Sequence, residues 1–377
     1  MASANPQPAR GIIRRSSSRA PDAERAVAEL ADQLGAAELN ALVFFCAPTY
    51  DLDALGRAVQ ARFPCPAVGC TTAGEILSPL GYLDHSLVGV GFATPEISLA
   101  TQFIPSLADF ADAPDEAWEF PAAGPGEKQF GLLLVDGLSM LEERVVAKIH
   151  QQFRGGALIG GSAGDNLDFG HTHVYHAGRF HERAGTWAVF TTTLPFKAFQ
   201  FQHFEPTGTK LVITEADVAT RTVAEINGLP AAEEYARAVG LTRGELSPAV
   251  FAAHPVMLRI GGEYYVRAIQ KVNPDGSLTF FCAIELGLVL TLATSRSLPE
   301  EMERQLAGLA REVPDLQLVL GCDCILRRLE LEQRREFARM AEVLAPYPFV
   351  GFSTYGEQFG GLHVSQTLTG LAIGGPR

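Results

Sequence analysis

A chain of 377 residues with 47% apolar and 19% charged side chains is long enough for two domains, or for one large domain with a substantial core. Thirty basic against 43 acidic residues give a net charge of −13, which argues against a nucleic-acid surface, and no apolar run approaches the roughly eighteen residues a membrane span needs. Six cysteines, at positions 46, 65, 70, 282, 322 and 324, are too few and too irregular for a disulfide framework and are expected to be reduced.

The first 21 residues are basic and Ser/Pro-rich but lack the apolar segment of a secretory signal, so they are expected to form a disordered arm on a cytoplasmic protein. From Asp22 to Leu34 the apolar residues Ala23, Val27, Leu30 and Leu34 recur at helical spacing, and Gly35 stops the helix. The run ALVFFCAP from Ala41 reads as a buried strand, Asp51 caps a helix with Leu52, Leu55, Val59 and Phe63 on one side, and PAVGCTTAGE returns to a sheet. SLVGVGF and EISLATQFI are further strands, parted by Thr94 and Pro95. A polar excursion with one short helix is expected over 108–128.

FGLLLVDG from Phe130 opens a second strand-helix-strand unit. Ser139 and Glu142 fit a capping box, followed by Leu141, Val145, Ile149 and Phe153 at helical spacing, and the unit ends in ALIGGSAGD. HTHVYHAGRFHERAGTWAVF alternates and turns at His176 to Gly178, which predicts a hairpin. FKAFQFQHF continues as a strand with Phe199, Phe201 and His203 on one face. The character changes around 205–208, where a domain boundary is expected. TKLVIT is a strand, Glu225 to Gly228 a turn, and Ala231 to Val239 a short helix. YYVRAIQKV and SLTFFCAIE flank the hairpin signal Asn273-Pro274-Asp275-Gly276, and Ser297 with Pro299 opens another helix. LQLVLGCDC from Leu316, PFVGFSTYGEQFGG and the final strand HVSQTLTGLAIG complete a third unit.

The three units share one theme: an apolar run, then a loop of glycine, Ser/Thr, glycine and a carboxylate. A helical crossover of this length favours parallel pairing of the two strands in each unit. The predicted class is therefore mixed α/β (α+β), two-lobed, with repeated strand-helix-strand units in mixed sheets and antiparallel hairpins. The loop residues are Gly69, Thr71, Thr72, Gly74 and Glu75 in the first copy. Gly161, Ser162, Gly164 and Asp165 form the second, and Ser353, Thr354, Gly356 and Glu357 the third. Such loops either cap their own backbone in a tight turn or line a ligand crevice at the strand ends, and the residues alone leave both open. Aligning the repeats sets Cys46 and Asp136 opposite Cys322. The CxC of Cys322 and Cys324 lacks the second pair of a metal site and is better read as buried thiols.

Several separated motifs, GCTTAGEI, GFSTYGE, EINGLPAAEEYA and YYVRAIQKVNPDGSL, occur in the order seen in the FIST family, so the chain resembles that family over residues 38–375. The resemblance implies a FIST N-like domain over 22–206 and a FIST C-like domain over 207–377. GGSAGDN with HTHVYHAGRFH, and the ending GFSTYGEQFGGLHVSQTLTG, are similar to the family's nitric-oxide-sensing haem branch. That similarity implies a bacterial, cytoplasmic signal-transduction sensor of two-component type, not an enzyme. Such a sensor would bind haem, take up nitric oxide at the iron, and modulate a partner histidine kinase or cyclic-di-GMP enzyme. It leaves a homodimer open and implies no nucleic-acid or membrane partner. The alternative is a haem-free FIST receptor for a small metabolite such as an amino acid.

Haem iron needs an apolar slot and an axial donor such as His. Five of the nine histidines fall between 171 and 203. His203 shares a face with two phenylalanines, His173 lies just beyond the second loop, and His363 just beyond the third; these are the axial candidates, set against the plainer reading of solvent-facing or satisfied core histidines. A zinc site of His171, His173 and Glu182 has the acid too far along the chain for a cupin pattern. Ser162 sits in a formal G-x-S-x-G, but a strand pattern follows where a nucleophile elbow needs a helix. Glu75, Asp165 and Glu357 suit a cationic or amino-acid ligand, with Arg267 and Arg327 as candidate counter-charges.

Overall fold

In the computed structural model, which describes residues 12–114, 122–153 and 156–376, one plan is run three times. Unit 1 comprises β1 (Ile13–Ser18), α1 (Ala23–Leu34), β2 (Ala41–Cys46), α2 (Leu52–Arg62), β3 (Ala67–Thr71), the hairpin β4 (Glu75–Leu77) and β5 (Gly81–Leu83), then β6 (Leu87–Phe92). Unit 2 follows with β7 (Ile97–Ile104), α3 (Leu107–Asp112), β8 (Lys128–Val135), α4 (Glu142–Gln152), β9 (Ala157–Ser162), the hairpin β10 (Val174–His176) and β11 (Arg179–His181), then β12 (Gly185–Thr192). Unit 3 starts with β13 (Phe196–Phe201). The chain then leaves for an inserted lobe of β14 (Phe204–Asp217), β15 (Thr222–Ile226), β16 (Leu229–Pro230), α5 (Ala231–Val239), α6 (Pro248–Ala253), β17 (Val256–Ile260), β18 (Glu263–Arg267), β19 (Ile269–Val272), β20 (Leu278–Phe280) and β21 (Val289–Ser295). It returns as α7 (Leu298–Glu312), β22 (Leu316–Cys324), α8 (Ile325–Arg334), α9 (Phe337–Leu344), β23 (Phe349–Thr354), the hairpin β24 (Glu357–Phe359) and β25 (Leu362–Val364), and β26 (Leu368–Gly374).

Local chemistry sets these elements. Asp22 and Asp51 accept from backbone amides three residues on and start α1 and α2, and Gly35 ends α1 at φ 70°. The expected parallel pairs form: β2 with β3, β8 with β9, and β22 with β23. Every residue of β2 and β23 is buried, which is why both read as unbroken apolar runs and not as alternating ones.

The sheet order shows how the units interlock. Each unit's hairpin leaves its own sheet and extends the sheet of a neighbour: β4–β5 of unit 1 pair with β23 of unit 3, β24–β25 of unit 3 with β9 of unit 2, and β10–β11 of unit 2 with β3 of unit 1. The exchange closes a ring of three sheets. Their inner faces share one core, in which Phe45 of unit 1 stacks on Phe352 of unit 3 at 4.3 Å. The outer faces carry the helices, α1 and α2 on the first sheet, α4 on the second, α7 and α9 on the third. Gly161 is required here, because a Cβ on it would lie 2.5 Å from the Phe352 ring. The inserted lobe has its own apolar core between α5, α6 and its sheet.

Three expectations are corrected. Residues 13–18 are a strand paired antiparallel with β6, not part of a disordered arm; residues 1–11 lie outside the described residues. Ser139 and Glu142 form no capping box: Leu141 occupies the N-cap, and the Glu142 carboxylate is drawn to Arg221 of the inserted lobe. The ladders set Cys46 opposite Thr71, Val135 opposite Ser162 and Asp323 opposite Ser353, so the counterpart of Cys46 is Asp323, not Cys322. A shift of one residue moves a side chain to the other face of the sheet. The chain enters the inserted lobe close to the boundary expected near 206, but leaves it again after β21 to complete unit 3.

Candidate functional site

The three Gly-Ser/Thr loops meet, and they meet by bonding to one another. At each strand end one amide donates to the carbonyl of the residue that opens the exchanged hairpin: Thr71 to His173, Ser162 to Gly356 and Ser353 to Gly74, at 2.7 to 3.0 Å. The next turn of each loop donates to the strand end of its other neighbour: Ala73 to Ser353, Gly164 to Thr71 and Tyr355 to Ser162, at 3.0 to 3.3 Å. Gly164 must be a glycine, since a Cβ there would meet the Ala73 nitrogen at 2.7 Å. These bonds satisfy backbone groups that burial would otherwise leave orphaned. No ligand crevice opens where the three tips meet; they fill the space themselves.

The loop side chains follow suit. Thr71, Thr72, Glu75, Ser353, Thr354 and Glu357 are fully buried. Glu75 accepts from Thr72 and Ser86 at 2.5 and 2.6 Å, and burial pushes its pKa up to about 7 despite those donors. Glu357 accepts from the amide and hydroxyl of Thr367 at 3.1 and 2.7 Å, its other oxygen has no partner, and burial pushes it up to about 8. Thr72, Gly74 and Glu75 line a notch of about 10 Å³, room for a water at most. Asp165 does something different. Its carboxylate accepts from the amides of Phe169 at 3.0 Å, Gly170 at 2.6 Å and His171 at 2.9 Å, and from the Tyr355 hydroxyl. It thereby holds a loop in which Asn166, Leu167 and Phe169 all have positive φ (61°, 72° and 51°), a strained backbone of the kind found beside ligand sites.

That loop overhangs a cleft between the tips of units 2 and 3 and the inserted lobe. One cavity, of about 310 Å³, is lined by polar groups including Glu142, Arg221, His363 and Ser365, together with Phe281 and Tyr355. A second, of about 250 Å³, is mainly apolar, with Leu167, Phe251, Ile269 and Leu329 in its wall. Phe169, Gln270, Phe281, Ile325 and Leu326 line both, so the two lie back to back. Phe169 stacks on Tyr355 at 4.9 Å beside the opening. Arg221 bridges the lobes: its Nη1 donates to Phe281 O at 2.6 Å, and its Nη2 to Met140 O, Glu142 and Glu143 at 3.0, 3.1 and 2.7 Å. Burial raises the pKa of Glu142. Two buried polar atoms on these walls have no partner, Ser365 Oγ and Gln366 Oε1. Each such atom costs roughly 1–3 kcal/mol.

The histidine candidates separate clearly. His203 lies between β13 and β14, 1% exposed, with Nε2 at 2.7 Å from Glu330 and Nδ1 at 3.3 Å from Arg327. Arg327 is bound in turn to Asp323, which accepts from Tyr82. Burial lowers the pKa of His203 and so favours the neutral ring, whose Nε2–H donates to Glu330 while Nδ1 accepts from Arg327. Both nitrogens are used, His203 lines neither cavity, and Arg327 supplies counter-charge to Asp323 and not to a ligand. His173 lies on the rim of unit 1 and shares one oxygen of Glu182 with His171, at 3.2 and 3.1 Å. It too is outside the cleft. No group of three or more His, Cys, Asp or Glu among the described residues is arranged to hold a metal ion. Only His363, 4% exposed, lines a cleft wall. Of the predicted loop residues none lines the two large cavities; Tyr355 and the segment 363–366 do. Arg221 and Phe281 escaped sequence reasoning because they reach the cleft from the inserted lobe, and Glu142 because its local pattern fits a capping box.

Two family models match the chain, the FIST N domain over residues 40–229 and the FIST C domain over residues 231–360. They divide inside the inserted lobe, between β16 and α5. No curated protein matches the chain.

Proposed function

The chain belongs to the FIST family, whose domains are signal-transduction sensors, and from that premise we propose that its signal is a small organic metabolite bound in the cleft between the unit 2 and unit 3 tips and the inserted lobe. The observation that carries this is the pair of adjoining cavities of ligand size at that junction, one walled by Glu142, Arg221 and His363 and the other mainly apolar. Amino acids are the first metabolites to try. The wall groups bind and orient; none is arranged as a nucleophile with its base, so no reaction is assigned. A ligand touching both the tips and the lobe favours one relative position of the two, which is the property a sensor needs. A histidine kinase or cyclic-di-GMP enzyme in the cytoplasm would read that position.

Haem with nitric oxide as the signal is the competing reading, and it fits less well. His203 and His173 do not face the cleft, and His363 would have to present its iron within a cavity of about 310 Å³ walled by Glu142 and Arg221.

Native mass spectrometry of the purified protein and of an L326W variant, which fills the shared wall, tests the proposal. An adduct of metabolite size on the wild type, lost in L326W, supports it. A strong Soret band that moves with nitric oxide and vanishes in H363A would replace it with the haem reading.

A further inference from the structure

We infer that the apolar cavity takes an uncharged, mainly apolar aromatic molecule, with the side-chain amide of Gln270 as its polar anchor. This rests on the cleft being the ligand site, and it narrows that reading to one chemical class. It uses the apolar cavity alone and needs no passage to the polar one.

The wall sets the class. The cavity, of about 250 Å³, lies between the inserted lobe, which supplies Phe251, Ile269 and Phe281, and α8 of the body, which supplies Ile325, Leu326 and Leu329. No charged side chain lines it. An ion placed there would lose its water and gain no counter-charge, which costs far more than burying a neutral group. A dry apolar cavity of roughly 150 Å³ holds a benzene, so this one has room for a fused pair of rings. Phe169, Phe251 and Phe281 make the wall itself aromatic, which suits a flat aromatic partner. Leu167 and Phe169, 36% and 47% exposed, bring the cavity to the surface, and large apolar side chains left in water at such a rim are a mark of a binding groove.

The anchor comes from an irregularity in a strand. β19 pairs with β20 as Ile269 with Phe280 and Lys271 with Thr279, so Gln270 is the extra residue of a β-bulge. Bulges re-aim side chains and recur beside binding sites. Gln270 lines the cavity and is half-buried, and its amide is neither bonded to any described residue nor sealed away. Gln366, the other polar side chain on this wall, gives its nitrogen to Ala252 O at 3.3 Å and has its oxygen closed off, so it offers a ligand nothing. The Gln270 amide can donate and accept, which a neutral molecule with a single N–H, O–H or C=O satisfies.

Indole has two fused rings, no charge and one N–H, and the test is isothermal titration of the full chain with indole, 1-methylindole, tryptamine, indole-3-carboxylate and tryptophan. Indole is expected to bind about ten-fold or more tightly than the three charged probes. Gln270→Leu should weaken indole by about three- to ten-fold without weakening 1-methylindole, which has no N–H to offer. Leu329→Trp, at a position that lines this cavity and not the polar one, should abolish indole binding. A charged probe that binds as tightly as indole would overturn the assigned class, and indole binding that survives L329W would place the molecule elsewhere and overturn it too. A Q270L variant that treats indole and 1-methylindole alike would remove the anchor. If the wild type carries an adduct by mass spectrometry that L326W loses while indole does not bind, the cleft stands and only the apolar-cavity assignment falls; with no adduct and no indole binding, both fall.

Discussion

Replacing Glu357 by Gln should remove most of a pH dependence of stability that the wild-type chain carries between about pH 5.5 and 8.5. Glu357 is fully buried against Thr367, and burial lifts it from 4.5 to about 8. Over most of this range the folded chain keeps a proton that the unfolded chain has lost, so stability falls as pH rises, by about 1.4 kcal/mol per pH unit for this group. From pH 5.5 to 7.5 the loss comes to about 2.5 kcal/mol, and it levels off above the folded pKa. A glutamine keeps the shape, accepts from Thr367 through its carbonyl oxygen, and never ionises. Urea unfolding of both proteins across the range reads the effect: near-equal midpoints at pH 5.5, and E357Q the more stable by about 3 kcal/mol or more at pH 8.5. Parallel curves, or a wild type that outlasts E357Q at pH 8.5, would show that Glu357 is not a neutral acid within the fold.

Three further outcomes are expected. Glu75, lifted to about 7, gives E75Q the same behaviour with a smaller gain that is already complete near pH 8. Phe352→Ala empties the shared core beside Phe45 and should cost about 3–5 kcal/mol by urea unfolding, more than loss of any exposed aromatic. Arg221→Met leaves the buried Glu142 and the half-buried Glu143 without their cation and should cost about 3–5 kcal/mol, most of it regained when both acids are also made Gln; a triple variant no better than R221M would refute the pairing.

The elements were legible because their signals are local. Asp22 and Gly35 bracket α1, Asp51 starts α2, and Asn273 to Gly276 turns a hairpin, each through bonds made within a few residues. The threefold repeat was legible too, from the recurring glycine loops. What the loops do was not. A GCTTAGE loop and an STYGE loop look alike whether they face a ligand or face each other, and only the hairpin exchange decides. The same limit explains the capping box: Ser139 and Glu142 satisfy the local rule, and Arg221, 79 residues away, outcompetes it. His203 follows a pattern that suits an axial ligand, yet Glu330 and Arg327, more than 120 residues distant, complete its bonding. Ser365 and Gln366 carried no sequence signal, since the lack of a partner is a property of the folded chain alone.

The hairpin exchange also decides where a signal can arise. Each tip in the ring is held by amide bonds to two neighbours, and the sheets behind it share one close-packed core, so moving one tip means breaking bonds in all three units. The inserted lobe is joined differently. The chain crosses to it at Gln202-His203 and returns at Arg296-Ser297, two crossings tied together by the Arg296 amide donating to His203 O at 2.8 Å. Elsewhere its polar ties to the body are few and include Arg221 to Met140, Glu142 and Glu143, Glu143 to the Ala283 amide, and Arg267 to His363. All of these ties border the cleft or the residues that line it. A ligand there competes for the contacts that position the lobe, while the triplicated body stays fixed as the reference against which the lobe moves.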